Sequence, residues 1–260
     1  MQTHYFCIMN EWYYYALLIV IGFIVGVINT LSGGGSLLTL PILIFLGLPS
    51  SVANGTNRIA ILIQVIFSYL GFKSKGATKN YGKFGWYLAI SATIGSLIGA
   101  KIAIDIKDAL FNRILAIVML LIVAFMVVSP KKNLQNLADR ITGKYAVWST
   151  IVFFFIGIYG GFIQAGTGIF MLLALSSINH LTLIRSNVIK AIVMIVYIAA
   201  TLILFGLNGK LNWTIGLTLA SGQALGGWLT SRWSVNKSDK VVKVFLIIMV
   251  VFMAIKLWIF

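Results

Sequence analysis

Apolar residues run in long blocks along this chain, and polar residues gather in short gaps between them. The blocks fall at about 12–32, 35–47, 50–71, 84–103, 111–128, 146–165, 167–179, 182–205, 213–231 and 241–260. A hydrocarbon core about 30 Å thick takes about 20 apolar residues per helical crossing, and most of the blocks have that length. Two do not. Segments 35–47 and 167–179 reach about 20 Å as helices, so they read as half-helices or re-entrant arms. Irregular backbone at membrane depth is tolerated where protein or a water-filled cavity surrounds it. The pattern predicts an all-α integral membrane protein.

Composition agrees. Of 260 residues, 60% are hydrophobic and 10% charged, with a mean hydropathy of +1.01. A soluble domain of this size has too little interior to hide that much apolar surface. The first run, Tyr13 to Leu31, lacks a basic stretch before it and a small-residue cleavage site after it, and reads as a retained helix. One cysteine, Cys7, allows no intrachain disulfide or thiolate cluster, and His4 and His180 are too few for a metal site. No cofactor and no metal are expected.

The net charge of +15 would point to nucleic acid in a soluble protein. Here it lies in connecting segments, and no nucleic-acid partner is expected. Three loops are basic: 72–83 with Lys73, Lys75, Lys79 and Lys83; 129–145 with Lys131, Lys132, Arg140 and Lys144; and 232–243 with Arg232, Lys237, Lys240 and Lys243. The positive-inside rule makes all three cytoplasmic. Segments 104–110 and 206–212 then face outward. One arrangement satisfies all five: two halves, 1–130 and 131–260, of about five helical segments each, with each short arm counted as a pass. An odd number per half inverts the second half relative to the first and places both termini outside.

Matching elements support the duplication. Gly33-Gly-Gly-Ser36 and Gly55-Thr-Asn-Arg58 recur as Gly166-Thr-Gly168 and Arg185-Ser-Asn187, and Gly95-Ser-Leu-Ile-Gly99 recurs as Gly222-Gln-Ala-Leu-Gly226. The offsets are 133, 130 and 127 residues. Inverted repeats are a common transporter plan, with the substrate held between them near mid-membrane.

Two constellations carry candidate chemistry. The first is Asn29, Ser32, Gly33, Gly34, Gly35 and Ser36, matched by Gln164, Gly166, Thr167 and Gly168. Consecutive glycines interrupt a helix, and a helix restarting after them offers unpaired N–H groups and the positive end of its dipole to an anion. Close packing through small residues is the competing explanation. It is preferred for Gly95/Gly99 and Gly222/Gly226, which keep a four-residue period, and not for Gly33–Gly35. The second constellation is Thr56, Asn57 and Arg58 with Ser186, Asn187 and Lys190. Asn57 and Asn187 are expected near helix starts, where Thr56 and Ser186 would serve as caps. Arg58 and Lys190 precede long uncharged stretches. Cations inside membranes are costly and functional, unless they snorkel to the interface. Gln64, Gln164 and Gln223 are intramembrane amides that could donate to an oxyanion or bridge helices.

All five acidic residues, Glu11, Asp105, Asp108, Asp139 and Asp239, fall at helix ends or in loops. A cation site or carboxylate proton relay has no obvious residue, and membrane enzymes built on paired carboxylates, metal ligands or a Ser-His pair lack their parts. Donors and cations alone remain at depth, which favours a small anionic substrate within the lipid bilayer.

At these residues the chain resembles the TauE/SafE sulfite-exporter family. The likeness lies in Gly22-x3-Gly26 with Gly33-Gly34-Gly35 and Pro41, then Ala53-Asn-Gly-Thr-Asn57; the second copy is Gly157-x2-Gly160-Gly161 with Gly166-Thr-Gly168, then Ser186-Asn187. Arg185 stands where a small residue is expected, and no proline follows the second glycine group. The resemblance implies a permease for sulfite, sulfonates such as sulfoacetate, or related sulfur oxyanions. With the inverted repeats and the missing catalytic parts, the expectation is export by alternating access across the cell inner membrane, and not an enzyme. An anion channel, an uptake carrier and an accessory subunit of a membrane enzyme remain open alternatives, and so does the oligomeric state.

Overall fold

Residues 12–78, 82–128 and 138–234 are described by the computed structural model, and among them regular structure is helical, with no strand. In chain order the helices are α1 (Trp12–Ser32), α2 (Ser36–Phe45), α3 (Ser50–Ser74), α4 (Gly82–Asp105), α5 (Asp108–Val128), α6 (Gly143–Phe162), α7 (Thr167–Ser177), α8 (Leu183–Leu207) and α9 (Trp213–Trp233). Five of them, α1, α3, α4, α6 and α8, are long and apolar enough to cross a membrane. The apolar segment at 241–260, the termini, and the basic residues Lys79, Lys131, Lys132, Lys237, Lys240 and Lys243 lie outside the described residues.

The two short segments are helices of 10 and 11 residues, α2 and α7, about 15 Å each and half of a hydrocarbon core. They end sooner than the apolar runs that encode them. α2 stops at Phe45 and α7 at Ser177, where left-handed backbone follows at Gly47 (φ +89°) and His180 (φ +54°). At its other end, α2 is separated from α1 by Gly33, Gly34 and Gly35. Gly33 has φ +76°, a conformation that closes α1 at little cost for glycine alone, and its N–H donates to Asn29 O at 3.0 Å.

The order long, short, long, long is the same in α1–α4 and α6–α9, and the packing repeats with it. α4 lies against α6 and α8, and α9 lies against α1 and α3. The fourth helix of each half therefore packs on the first and third helices of the other. α3 and α8 meet at the centre, and each short helix packs on the third helix of its own half. Exchanging the halves leaves this pattern unchanged.

Small residues make the contacts close. In α1 against α9, a Cβ on Gly222 or Gly226 would strike the carbonyl oxygen of Ile19 or Phe23, and a Cβ on Gly26 would strike that of Gln223. In α4 against α6, Gly95 and Gly99 meet the carbonyls of Phe154 and Ile158, while Gly157 and Gly161 meet those of Ala92 and Ser96. Backbones this near gain dispersion contacts that apolar lipid cannot replace. The four-residue glycine pairs are thus packing glycines in both halves.

The surface is inverted relative to a soluble protein. Trp86, Ile90, Ile94, Phe155, Ile203, Leu217 and Leu225 are exposed, whereas Asn54, Asn57, Arg58, Gln64, Gln164 and Lys190 are buried. Trp12, Trp148, Trp213 and Trp233 are exposed near helix ends, as interfacial tryptophans are.

Candidate functional site

The polar interior forms where the two breaks meet. A Cβ on Gly33 would overlap the carbonyl carbon of Gly168, and one on Gly168 would lie 2.6 Å from Gly33 O and 2.7 Å from Gly33 Cα. The gap after α1 thus touches the first turn of α7, backbone on backbone. Ser36, the first residue of α2, completes the junction: its Oγ donates to Gln164 O at 3.2 Å and accepts from Gly166 N at 3.0 Å. Gly166 has φ +71° and Gln164 φ +66°. The latter is a rare conformation for a residue with a side chain and marks local strain. Thr167 Oγ1 also donates to Gln164 O, at 2.9 Å.

Arg58 lies on α3 with no exposed surface. Its Nη1 donates to Gln164 Oε1 at 3.1 Å and Thr201 Oγ1 at 2.9 Å, and its Nη2 to Asn54 Oδ1 at 3.4 Å, Gly160 O at 3.2 Å and Gly161 O at 2.5 Å. Its guanidinium carbon is 4.6 Å from the centre of the Phe205 ring. Gly160 and Gly161 belong to the last turn of α6, whose free carbonyls carry the negative end of the helix dipole. Asn54 Nδ2 donates to Phe162 O in the same turn, at 2.7 Å. A side chain of the first half thereby closes the C-terminus of a helix in the second.

Lys190, on α8 and 3% exposed, does the reverse. Its Nζ donates to Asn29 O, in the last turn of α1, at 3.0 Å. The Asn29 side chain donates through Nδ2 to Gln64 Oε1. Gln64 Nε2 donates to Thr30 Oγ1 at 3.0 Å and Ser68 Oγ at 2.8 Å. A buried polar chain so runs from Lys190 along α1 and α3 towards the end of α3 that carries Lys73. Neither buried cation has an acidic partner among the described residues.

Several buried polar atoms have no hydrogen-bond partner: Asn57 Nδ2, Arg58 Nε, Gln164 Nε2, Asn29 Oδ1, Asn187 Oδ1 and both polar atoms of Gln223. Each such atom costs about 1–3 kcal/mol, and all but those of Gln223 belong to residues of the two constellations. Asn57 is held on its other side by Thr39 Oγ1, which donates to its Oδ1 at 2.7 Å. Among the described residues no group of three His, Cys, Asp or Glu side chains could hold a metal ion.

Not every residue singled out in the sequence joins this cluster. Thr56 and Asn57 do not sit at a helix start: α3 begins at Ser50, directly after Pro49, so both lie inside it. Thr56 Oγ1 instead accepts from Asn212 N at 2.9 Å, fastening the α8–α9 connection. Ser186 and Asn187 lie in the first turns of α8, whose flanking residue is Thr182, and Ser186 Oγ turns back to Leu181 O at 3.4 Å. Ser32 is half-buried and bonds Ile28 O within its own helix at 2.9 Å. Arg185 is at the rim, paired with Asp139 at 2.7 Å. Gly34 and Gly35 lie in the break itself, and their carbonyls accept from Leu37 N and Leu38 N at 3.0 Å each.

Sequence reasoning missed Tyr197, Thr201 and Phe205, three partners of the Gln164–Arg58 cluster. Their four-residue spacing put them on one face of α8, and Gln64 and Ser68 share a face of α3 in the same way. That spacing was the available signal.

An all-α bundle with exposed apolar walls, two short helices and a buried polar centre fits a membrane transporter. The chain belongs to the sulfite exporter TauE/SafE family, whose model matches residues 18–257. It is 27% identical over 242 residues to a probable membrane transporter protein of Haemophilus influenzae, with 93% of each chain covered. It is 28% identical to the probable membrane transporter protein ORF9 of Sinorhizobium sp, covering 93% of this chain and 91% of that one. To the probable membrane transporter protein YfcA of Escherichia coli it is also 28% identical, over 93% and 88% of the two chains. No solved structure matches it.

Proposed function

We propose that this transporter is a permease of the cell inner membrane for small sulfur-containing oxyanions, sulfite or an organosulfonate, and that it exports them by alternating access. The observation that carries the reading is the chemistry of the buried centre. Buried cationic charge, unpaired amide donors, and the restarting ends of α2 and α7 are gathered there, and no buried carboxylate is among the described residues. An oxyanion accepts hydrogen bonds on every oxygen and suits such a set of donors. A cation does not.

The halves, taken as 1–130 and 131–260, are inverted relative to each other. The exchange-symmetric packing supports two equivalent units, and the basic connection after α3, against the nearly neutral one after α8, supports opposite orientation. Loops 72–83, 129–145 and 232–243 are then cytoplasmic. Rocking one half against the other would expose the centre to each side in turn. The site residues are almost free of solvent contact, as in a state closed to both sides. With the cell interior negative, each anionic charge leaving the cell gains about 2.3 kcal/mol per 100 mV, so export needs no coupled ion.

Purified protein can be screened by thermal unfolding against sulfite, sulfate, thiosulfate, taurine and sulfoacetate, since a ligand of the native state stabilises it by mass action. A sulfur oxyanion is expected to raise Tm in a saturable way. Stabilisation by a cation or a neutral metabolite alone would overturn the reading.

A further inference from the structure

We propose that the two buried cations divide the work: Lys190, together with the Asn187 amide, binds the anion, and Arg58 is a structural cap. The inference rests on the transport reading above. Guanidinium and ammonium are compensated very differently here. Arg58 makes five hydrogen bonds, two of them to carbonyls at the end of α6, and lies against the Phe205 ring. Only its Nε lacks a partner, and its charge is otherwise answered by a helix end. Lys190 has three N–H donors and a single acceptor, Asn29 O, which also takes the N–H of Gly33 at 3.0 Å. An ammonium buried with one shared carbonyl and no carboxylate is far from compensated, and uncompensated buried charge is costly.

A second uncompensated polar group lies one helical turn away. Asn187 precedes Lys190 by three residues on α8, on nearly the same face, and its Oδ1 is buried without a partner. Which end of that amide is oxygen is fixed only by its partners, so the group can turn its NH2 toward an oxyanion. The location is the α1–α2 break, where Gly35 packs against Asn29 Cβ and α2 begins at Ser36. An ammonium thus sits at the break, a turnable amide lies one helical turn earlier on nearly the same face of α8, and the polar chain of Gln64, Thr30 and Ser68 leads away from Asn29. At the other break the Gln164 side-chain oxygen is already taken by Arg58 Nη1 and the Tyr197 hydroxyl.

The test uses purified full-length protein in detergent, with sodium sulfite, thiosulfate and sulfoacetate as probes and thermal unfolding as readout. Lys190→Gln is expected to keep or raise the ligand-free Tm and to lose the anion-dependent rise, with affinity at least tenfold weaker; Lys190→Arg is expected to restore part of it. Asn187→Ala is expected to weaken affinity several-fold. Arg58→Lys is expected to lower the ligand-free Tm while an anion-dependent rise remains measurable. A Lys190→Gln protein that binds the anion as tightly as the native one overturns the assignment and leaves the transport reading standing. So does an Arg58→Lys protein that keeps its ligand-free Tm and loses the whole rise. A native protein that none of the three anions stabilises overturns both. Should Lys190→Gln fail to fold, Lys190→Met and Asn187→Ala carry the comparison, and unfolding of both Lys190 variants would itself make Lys190 structural and sink the proposal.

Discussion

Replacing Gly33 with alanine should weaken the protein through two separable effects, and each has its own control. Gly33 has φ +76°, where a Cβ costs about 1–2 kcal/mol. Its Cβ would also overlap the backbone of Gly168, and forcing an extra carbon into a packed contact costs about 1–3 kcal/mol. The sum is about 2–5 kcal/mol, less roughly 0.5–1 kcal/mol that alanine recovers by stiffening the unfolded chain. Gly209 has φ +65° and open space for 4 Å around the position a Cβ would take, so Gly209→Ala carries the backbone strain alone. Gly168→Ala has no positive φ but would meet Gly33 O at 2.6 Å, so it carries the contact alone. Unfolding in mixed micelles with rising denaturing detergent, followed by the fluorescence of the seven tryptophans, gives all three values. Gly33→Ala should be the most damaging. Because the two glycines touch, Gly33→Ala and Gly168→Ala should be non-additive by more than about 0.5 kcal/mol. If Gly33→Ala is as mild as Gly209→Ala, and additive with Gly168→Ala, the breaks do not touch and the shared centre is lost.

Other expectations follow from the same contacts. Arg58→Met leaves Gly160 O and Gly161 O without a side-chain donor, at about 1–3 kcal/mol each, so its unfolding free energy should fall by about 2–6 kcal/mol, offset in part by not burying a charge; Lys190→Met frees a carbonyl still bonded to Gly33 N–H and removes a poorly compensated buried charge, so by the same measurement it should lose no more than about 1 kcal/mol and can gain stability. Asp108 Oδ1 accepts from Ser50 N at 2.9 Å and so caps α3 from α5; Asp108→Ala should cost about 0.5–2 kcal/mol, and a neutral result would remove the cap. With Cys7 replaced by serine, an impermeant thiol reagent on intact cells should label Lys210→Cys and spare Lys75→Cys; the opposite result would reverse the orientation of the bundle.

Much of the fold was legible because a membrane imposes long apolar runs, and breaks in those runs stand out. The two short helices and the glycine interruptions before them were visible as run lengths and as Gly33–Gly35 and Gly166–Gly168. The ends of α2 and α7 were not, since apolar residues continue past Phe45 and Ser177 and only backbone conformation stops the helices. Arg58 and Lys190 stood out as charges followed by uncharged stretches. Their partners did not, because they are backbone carbonyls: sequence marks a glycine at 160 or 161 but not the free carbonyl it carries at a helix end. Thr56 illustrates the opposite error. Its side-chain type suits a cap, and only the start of α3 at Ser50 shows that it faces the α8–α9 connection instead. The exchange of cations between halves, Arg58 to α6 and Lys190 to α1, depends on contacts more than 100 residues apart that no local pattern encodes.

On the proposed function, the meeting point of the two broken helices binds a small sulfur oxyanion and carries it across the membrane. Purified protein in liposomes loaded with unlabelled sulfite, with radiolabelled sulfite outside, tests it directly. The expected result is saturable exchange that sulfonates inhibit, net flux that follows the membrane potential in the direction of an anion, and loss of both in Lys190→Gln. Absence of exchange, or flux of a cation that Lys190→Gln leaves intact, would contradict it.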